Sequence, residues 1–345
     1  MGAIYYDRLL NQLVKAFSAL SSPDVPCPAR LYHYTTDEGF PKIISDHRLR
    51  AYSADSQNKD KTEITHGCEL LGELLDAKLK SVALSDFTRD LLERLKFLPH
   101  QRRPWVFLAC FSTENDNERL WEKFRSSYCL NLETDPLRYK CVAAPRGHAS
   151  GQGFVSELVP VIYEGKKQKK MLVKALGALI AILEDTSIVQ GSFFGPCKAD
   201  VARFPAPTVA EFLLSLIVRF KSKKEFSDEY EWRVVARPDR TSFSSDPLEA
   251  DRNCECYVRK DEARKYIEMS GVEPEVLFRP GEPIFGLAVP NVKLPIREVV
   301  IGPKLRQAEM FDCAQVVLSD CGYGDVPISR SNHAIRNSIR RLACR

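Results

Sequence analysis

Several familiar signatures are missing from these 345 residues. No C-x-x-C pair occurs among the 11 cysteines, and Cys254-Glu255-Cys256 has no partner cluster at zinc spacing, so a structural zinc site is not expected. The odd count, with several cysteines inside apolar runs such as Leu108-Ala109-Cys110-Phe111, reads as free buried thiols in a reducing cytoplasm. No G-x-G-x-x-G follows a strand and there is no P-loop; Gly147, Gly151 and Gly153 lack that context, which leaves a Rossmann or nucleotide-kinase site without support. The most apolar stretch, residues 171–183, contains Lys174 and is too short to span a bilayer, so no membrane partner is expected. No basic flank with an apolar core marks a signal peptide. Internal repeats and low-complexity tracts are absent too. The net charge of +4 permits a nucleic-acid or acidic partner without arguing for one.

What is present is an interleaving of helical and extended patterns. Leu9, Leu10, Leu13, Val14, Phe17 and Leu20 form one stripe of an N-terminal helix over 4–20, which a proline-marked linker at 21–28 ends. Strands are expected at 31–34, 49–53, 105–111 and 154–163, the last an edge strand or one with a bulge because of Pro160. Residues 54–66 read as a polar loop and 68–97 as helical, with further helices near 167–184, 207–222 and 331–344. Thr36 suits a helix N-cap, as does Asn115 or Asp116 further on. The stretch 230–301 carries short strands near 230–236, 254–258, 284–289 and 297–301, which favours antiparallel pairing and an α+β class over a doubly wound fold.

Three segments carry the chemistry. In Glu229-Tyr230-Glu231-Trp232-Arg233, strand alternation places both carboxylates and the arginine on one face, where charges beside an apolar run are costly unless paired or used. An exposed strand end with a Glu–Arg pair accounts for the same residues. In Tyr32-His33-Tyr34-Thr35, His33 and Thr35 share a face just before a helix, and a histidine there can bond a ligand hydroxyl or serve as an ordinary strand residue. In Cys110-Phe111-Ser112-Thr113 through Trp121, the two aromatics either face each other across a cleft that takes a flat ring, or belong to the core.

Order and spacing of these segments resemble the ADP-ribosyltransferase superfamily. The nearest likeness is to its histidine–tyrosine–glutamate group, which includes diphtheria toxin and the poly-ADP-ribose polymerases. His33 and Thr35 match that group's first-strand motif. Phe111-Ser112-Thr113 with Trp121 is similar to its aromatic-Ser-Thr block, with Phe111 and Trp121 where the family has tyrosines, and Glu231 matches its late-strand glutamate. Glu229-Tyr230-Glu231 has the E-x-E spacing of the superfamily's arginine-modifying branch. The opening histidine-x-threonine, helix and Leu-x-x-x-Ser also resemble toxins that modify DNA bases. Over about 31–303 the chain is similar to a bacterial family known only as a domain of unknown function, with H-Y-T, C-F-S…W and E-x-E-W-R blocks. The resemblance implies a split antiparallel sheet core and NAD+ as substrate. It implies Glu231 at the nicotinamide-side ribose, Glu229 at the acceptor, and His33 with Thr35 at the adenosine ribose. Phe111 and Trp121 would then stack nicotinamide, Ser112 would brace Glu231 or its loop, and Arg233 would balance the carboxylates or touch a pyrophosphate oxygen.

On this reading residues 1–30 are a helix and linker, and 31–303 are the transferase-like domain with helical insertions near 68–97 and 167–222. Residues 304–345 are a basic extension. The expected function is a cytoplasmic ADP-ribosyltransferase, a toxin or phage-defence effector with an inhibitory partner protein. Lys166-Lys167-Gln168-Lys169-Lys170, Lys221–Lys224 and the C-terminal arginines tilt the acceptor towards RNA or DNA, with a protein side chain next. Two other classes stay open. One is an inactive module that binds NAD+, ADP-ribose or nucleic acid. The other is a metal-dependent nuclease using Asp55, Asp60, Glu63, Glu229 and Glu231.

Overall fold

Apolar residues at every second position of several short runs force strands that bury one face each, and the helices cover both sides of the sheet so formed. The computed structural model describes residues 11–20 (except 14 and 18), 25–56, 61–81, 83–134, 139–141, 154–185, 206–221, 227–238, 259–261, 264–271, 293–304 and 306–333. Among these, the strands are β1 (Arg30–Thr35), β2 (Leu49–Ser53), β3 (Phe107–Ser112), β4 (Tyr128–Glu133), β5 (Tyr139–Cys141), β6 (Phe154–Pro160), β7 (Glu231–Pro238), β8 (Arg259–Asp261), β9 (Arg264–Gly271), β10 (Ile296–Ile301) and β11 (Ile328–Arg330). The helices are α1 (within 11–20), α2 (Gly39–Asp46), α3 (Lys61–Ser81), α4 (Asp86–Leu95), α5 (Leu98–Arg102), α6 (Glu118–Phe124), α7 (Gly165–Leu183), α8 (Ala206–Ile217) and α9 (Gln307–Asp320).

The fold is α+β. All eleven strands join one sheet, antiparallel except where β11 runs parallel to β10. Its centre is β3. One edge of β3 pairs along its whole length with β7, from Phe107↔Ala236 to Ser112↔Glu231. The other edge is divided: Ser112 meets Tyr32 of β1, while Leu108 and Phe107 meet Tyr52 and Ser53 of β2. Two arms leave β3 there, β1–β4–β10–β11 on one side and β2–β9–β5 on the other. Among the described residues β6 pairs with β7 alone, an edge position that tolerates Pro160.

The two faces have separate cores. On one, α1, α3, α4, α7 and α8 pack over β3, β6 and β7 through Leu108, Val159 and Val235. Phe17 of α1 stacks on Phe212 of α8, with ring centroids 5.1 Å apart. Apart from Pro207, every residue of α8 is buried, so its single carboxylate, Glu211, needs a partner, and Arg102 Nε donates to it at 2.8 Å. Gly67 lets α3 and α8 touch: a Cβ there would lie 2.3 Å from Ile217 Cγ2. On the other face, α2 and α9 cover Leu31, Ala51, Phe107, Phe111 and Val234. Residues after 303, set apart in the sequence reading, supply α9 and β11 to this face and sheet.

Several expectations are corrected. α3 begins at Lys61, inside the stretch expected as loop, and 68–97 is two helices, the second capped by Ser85 Oγ accepting from Thr88 N at 3.3 Å. α6 is capped by Asn117, whose Oδ1 accepts from Arg119 N and Leu120 N at 3.0 and 3.3 Å, rather than by Asn115 or Asp116. Thr36 Oγ1 accepts from Gly39 N at 3.2 Å and Thr36 O from Phe40 N at 3.0 Å, so Thr36 receives the first amides of α2 although Glu38 is the residue directly before the helix. The strands expected at 254–258 and 284–289 lie outside the described residues, as does all but 331–333 of the expected terminal helix, and those three are not helical.

Candidate functional site

From strand alternation, Glu229, Glu231 and Arg233 were expected side by side. The chain reaches a similar end differently. Ser227–Glu229 is a 3₁₀ turn, Tyr230 has φ +46°, and β7 begins only at Glu231. A bulky residue in the left-handed region is uncommon and persists only where its surroundings over-determine the backbone. Here Thr113 N donates to Tyr230 O at 3.1 Å, Ser112 Oγ to Glu229 O at 2.8 Å, Val161 N to Glu231 O at 2.9 Å, and Glu231 N to the Tyr163 hydroxyl at 3.2 Å. Glu229 and Glu231 then converge on one buried ammonium: Lys221 Nζ is 2.9 Å from Glu229 Oε2 and 2.5 Å from Glu231 Oε2.

The charges around them are closely paired. Arg233, 2% exposed, donates through Nε to Glu231 Oε1 at 2.7 Å, through a second nitrogen to Oε2 at 3.3 Å, and through the third to the Val218 carbonyl. Lys123 of α6 pairs with Glu229 Oε1. Such pairing is what makes buried charge tolerable. Burial pushes the Glu231 carboxyl up, but the Arg233 guanidinium and the Lys221 ammonium outweigh it and hold it well below the usual carboxylate range. Glu231 is therefore an anion at any ordinary pH, fit to stabilise positive charge and unfit to donate a proton. Cys110, opposite Arg233 in the sheet, has its thiol pushed up by burial and then by the Glu231 charge, so it stays protonated.

Lys221, Lys123, Tyr163 and Gln168 were not singled out from sequence as site residues. Gln168 of α7, fully buried, donates through Nε2 to Ile162 O at 2.6 Å and Lys221 O at 2.9 Å, and its Oε1 accepts from His66 Nε2 at 3.0 Å. One amide thus holds the two chain segments that carry Tyr163 and Lys221. The signal available beforehand was a polar residue inside the lysine run of an otherwise amphipathic helix.

The remaining predicted residues are placed elsewhere. Residues opposite one another in neighbouring strands share a face. Ser112 is opposite Glu231, so both lie on the α7–α8 side, and Ser112 braces the turn through the Glu229 carbonyl rather than the Glu231 carboxylate. Phe111 and His33 lie on the other side, with ring centroids 5.6 Å apart. His33 Nδ1 donates to Cys110 O at 3.1 Å, which leaves Nε2 as an acceptor, and burial lowers its pKa, so the ring is neutral. Thr35 packs against the start of α2, where a Cβ on Gly39 would lie 2.3 Å from Thr35 Oγ1. Trp121 sits in a small cluster with Cys129 and Val300, edge-on to Tyr34 at 4.7 Å, its indole N–H donating to Asp116 Oδ1 at 2.8 Å. Gly302 makes room for it, since a Cβ there would lie 2.8 Å from the indole. Phe111 and Trp121 therefore belong to different buried clusters.

Among the described residues, no three His, Cys, Asp or Glu side chains gather as a metal ion would need, and no helix is long and apolar enough to cross a membrane. The side chains of Asp60 and Glu63 are outside the described set, and Asp55 is exposed in a 3₁₀ turn. Comparison with protein-family models, curated proteins and solved structures finds no match.

Proposed function

We propose that the chain is an NAD+-dependent ADP-ribosyltransferase centred on Glu229 and Glu231. The observation that carries this is their convergence on Lys221 at 2.9 and 2.5 Å from the two sides of a strained turn. In the reaction the bond from nicotinamide to ribose C1′ breaks, and nicotinamide leaves with the electron pair. The acceptor's lone pair forms the new bond to C1′, and the acceptor's proton passes to Glu229. Between those events the ribose carries oxocarbenium charge, which a permanently ionised Glu231 stabilises. The proposal assigns no stacking role to Phe111 and Trp121, because they are buried apart.

A second reading is favoured by one observation: Arg233 and Lys221 already engage both oxygens of Glu231. A chain in which that engagement is permanent binds NAD+ or ADP-ribose without turnover. The deciding experiment follows nicotinamide release from NAD+ by the full chain and by Glu231→Gln and Glu229→Gln. The transferase reading expects release to fall roughly 100- to 1000-fold in Glu231→Gln, with Glu229→Gln losing transfer more than release to water. NAD+ binding with no release by the unsubstituted chain establishes the second reading instead. Glu231→Gln turning over at the normal rate removes the first.

A further inference from the structure

The solvent side of this region carries groups that the carboxylate pair does not use. Tyr230 is 54% exposed although Glu229 and Glu231 on either side of it are buried. Glycine would occupy φ +46° without strain, yet the position holds a large ring on a backbone pinned by its neighbours' hydrogen bonds. The second group is on α7. Lys166, Lys167, Lys169, Lys170 and Lys174 are all exposed, while Gln168 among them turns inward to the Lys221 carbonyl. Those turns of α7 therefore lie against Lys221, and Tyr163, two residues before the helix, touches Glu231. Lys167 donates to Glu164 Oε1 at 2.9 Å, but the first turn itself has no acidic residue, and positive charge there is disfavoured by the helix.

A row of ammonium groups together with a rigidly held, exposed aromatic ring is the combination that takes up an unpaired polynucleotide strand: the cations track the phosphates and the ring stacks a base, which a duplex would keep buried. We propose that this face binds single-stranded nucleic acid, its phosphates along the α7 lysines and one base on Tyr230. The inference deepens the transferase reading, resting on it only for what the strand then meets at Glu229.

The test needs no turnover. Fluorescence anisotropy of the full chain is measured against a labelled oligonucleotide of roughly a dozen nucleotides, as RNA and as DNA of the same sequence, over a range of salt. Affinity is expected to fall with salt, with a log–log slope of about 0.7 per phosphate contact. Replacing Lys166, Lys167, Lys169 and Lys170 by Ala is expected to weaken binding at least tenfold and flatten that slope. Tyr230→Gly, which removes the ring and relieves the backbone, is expected to weaken it roughly 5- to 100-fold at unchanged slope, with Tyr230→Trp binding as well as tyrosine. The stronger binder of the two oligonucleotides identifies the sugar. Absence of binding at low salt, indifference to both variants, or equal binding of polyglutamate overturns the proposal. Nicotinamide release without oligonucleotide binding defeats this inference alone. Oligonucleotide binding without NAD+ turnover upholds the surface and removes the transferase.

Discussion

One residue apart along β3 and β7, the two faces of the sheet have interiors of different kinds. Phe111, Trp232 and Val234 pack with Leu31 and Phe40 on one face, where any apolar neighbour of suitable size serves. Ser112, Cys110, Glu231 and Arg233 lie on the other beside Lys221, where each charge needs a named partner within hydrogen-bond reach. The first face is insensitive to which residue fills it and sensitive to volume. The Glu231 end of the second, beyond the apolar core around Leu108 and Val235, demands identity instead, and that is why chemistry is sought there.

The sharpest break in this comparison is expected from Arg233→Met, which leaves the buried Glu231 with Lys221 alone. A loss of about 3–5 kcal/mol in urea unfolding is expected, whereas Met310→Leu in the apolar core is expected to cost less than about 1.5 kcal/mol. Equal losses would erase the distinction.

Acid separates the faces next. His33 has a lowered pKa, so the unfolded chain takes up its proton first. Its contribution is complete above the ordinary value of 6.5 and drains away as pH falls towards the folded value. Glu231 is likewise lowered, and its contribution is complete above 4.5 and lost below. Urea midpoints measured from pH 8 down to pH 3 should therefore fall in two limbs. His47 and His100 shift in the same direction as His33, so His33→Gln should shrink the upper limb and leave the lower one intact. A lower limb that disappears in His33→Gln contradicts the assignment. The smallest effect is expected from Tyr163→Phe, which removes only the acceptor for Glu231 N and should cost about 1 kcal/mol by the same measurement.

Period-2 and helical patterns made β1, β2, β3, β7, α7 and α8 legible, because each buries a face whose spacing is local. The split of β1 was legible as well: Leu31, His33 and Thr35 on one side, Tyr32 and Tyr34 on the other. The turn at Tyr230 was not, since nothing in Glu-Tyr-Glu requires a positive φ, and the hydrogen bonds that impose it come from Ser112, Thr113 and Tyr163. The inward roles of Lys221 and Gln168, each part of a basic run, were hidden for the same reason. Lys221 reads as the polar end of an apolar run, and its partners are fixed by non-local contacts, the bridge between Ile162 and Phe220 and the Gln168 amide. Which face His33 shares with which glutamate depends on register across three strands, and no local window contains that.

The divided edge of β3 also shapes how the protein is made. The first strand of each arm, β1 and β2, precedes it, but β7 follows roughly 120 residues later, which at cellular elongation rates is on the order of ten seconds. For that interval a nascent chain presents Leu-Ala-Cys-Phe with one side of its backbone unpaired, a template for wrong partners. Lys123 likewise emerges well before Glu229. The cluster cannot be complete until Glu229, Glu231 and Arg233 have been made, so Lys123 waits for its partner over the same interval.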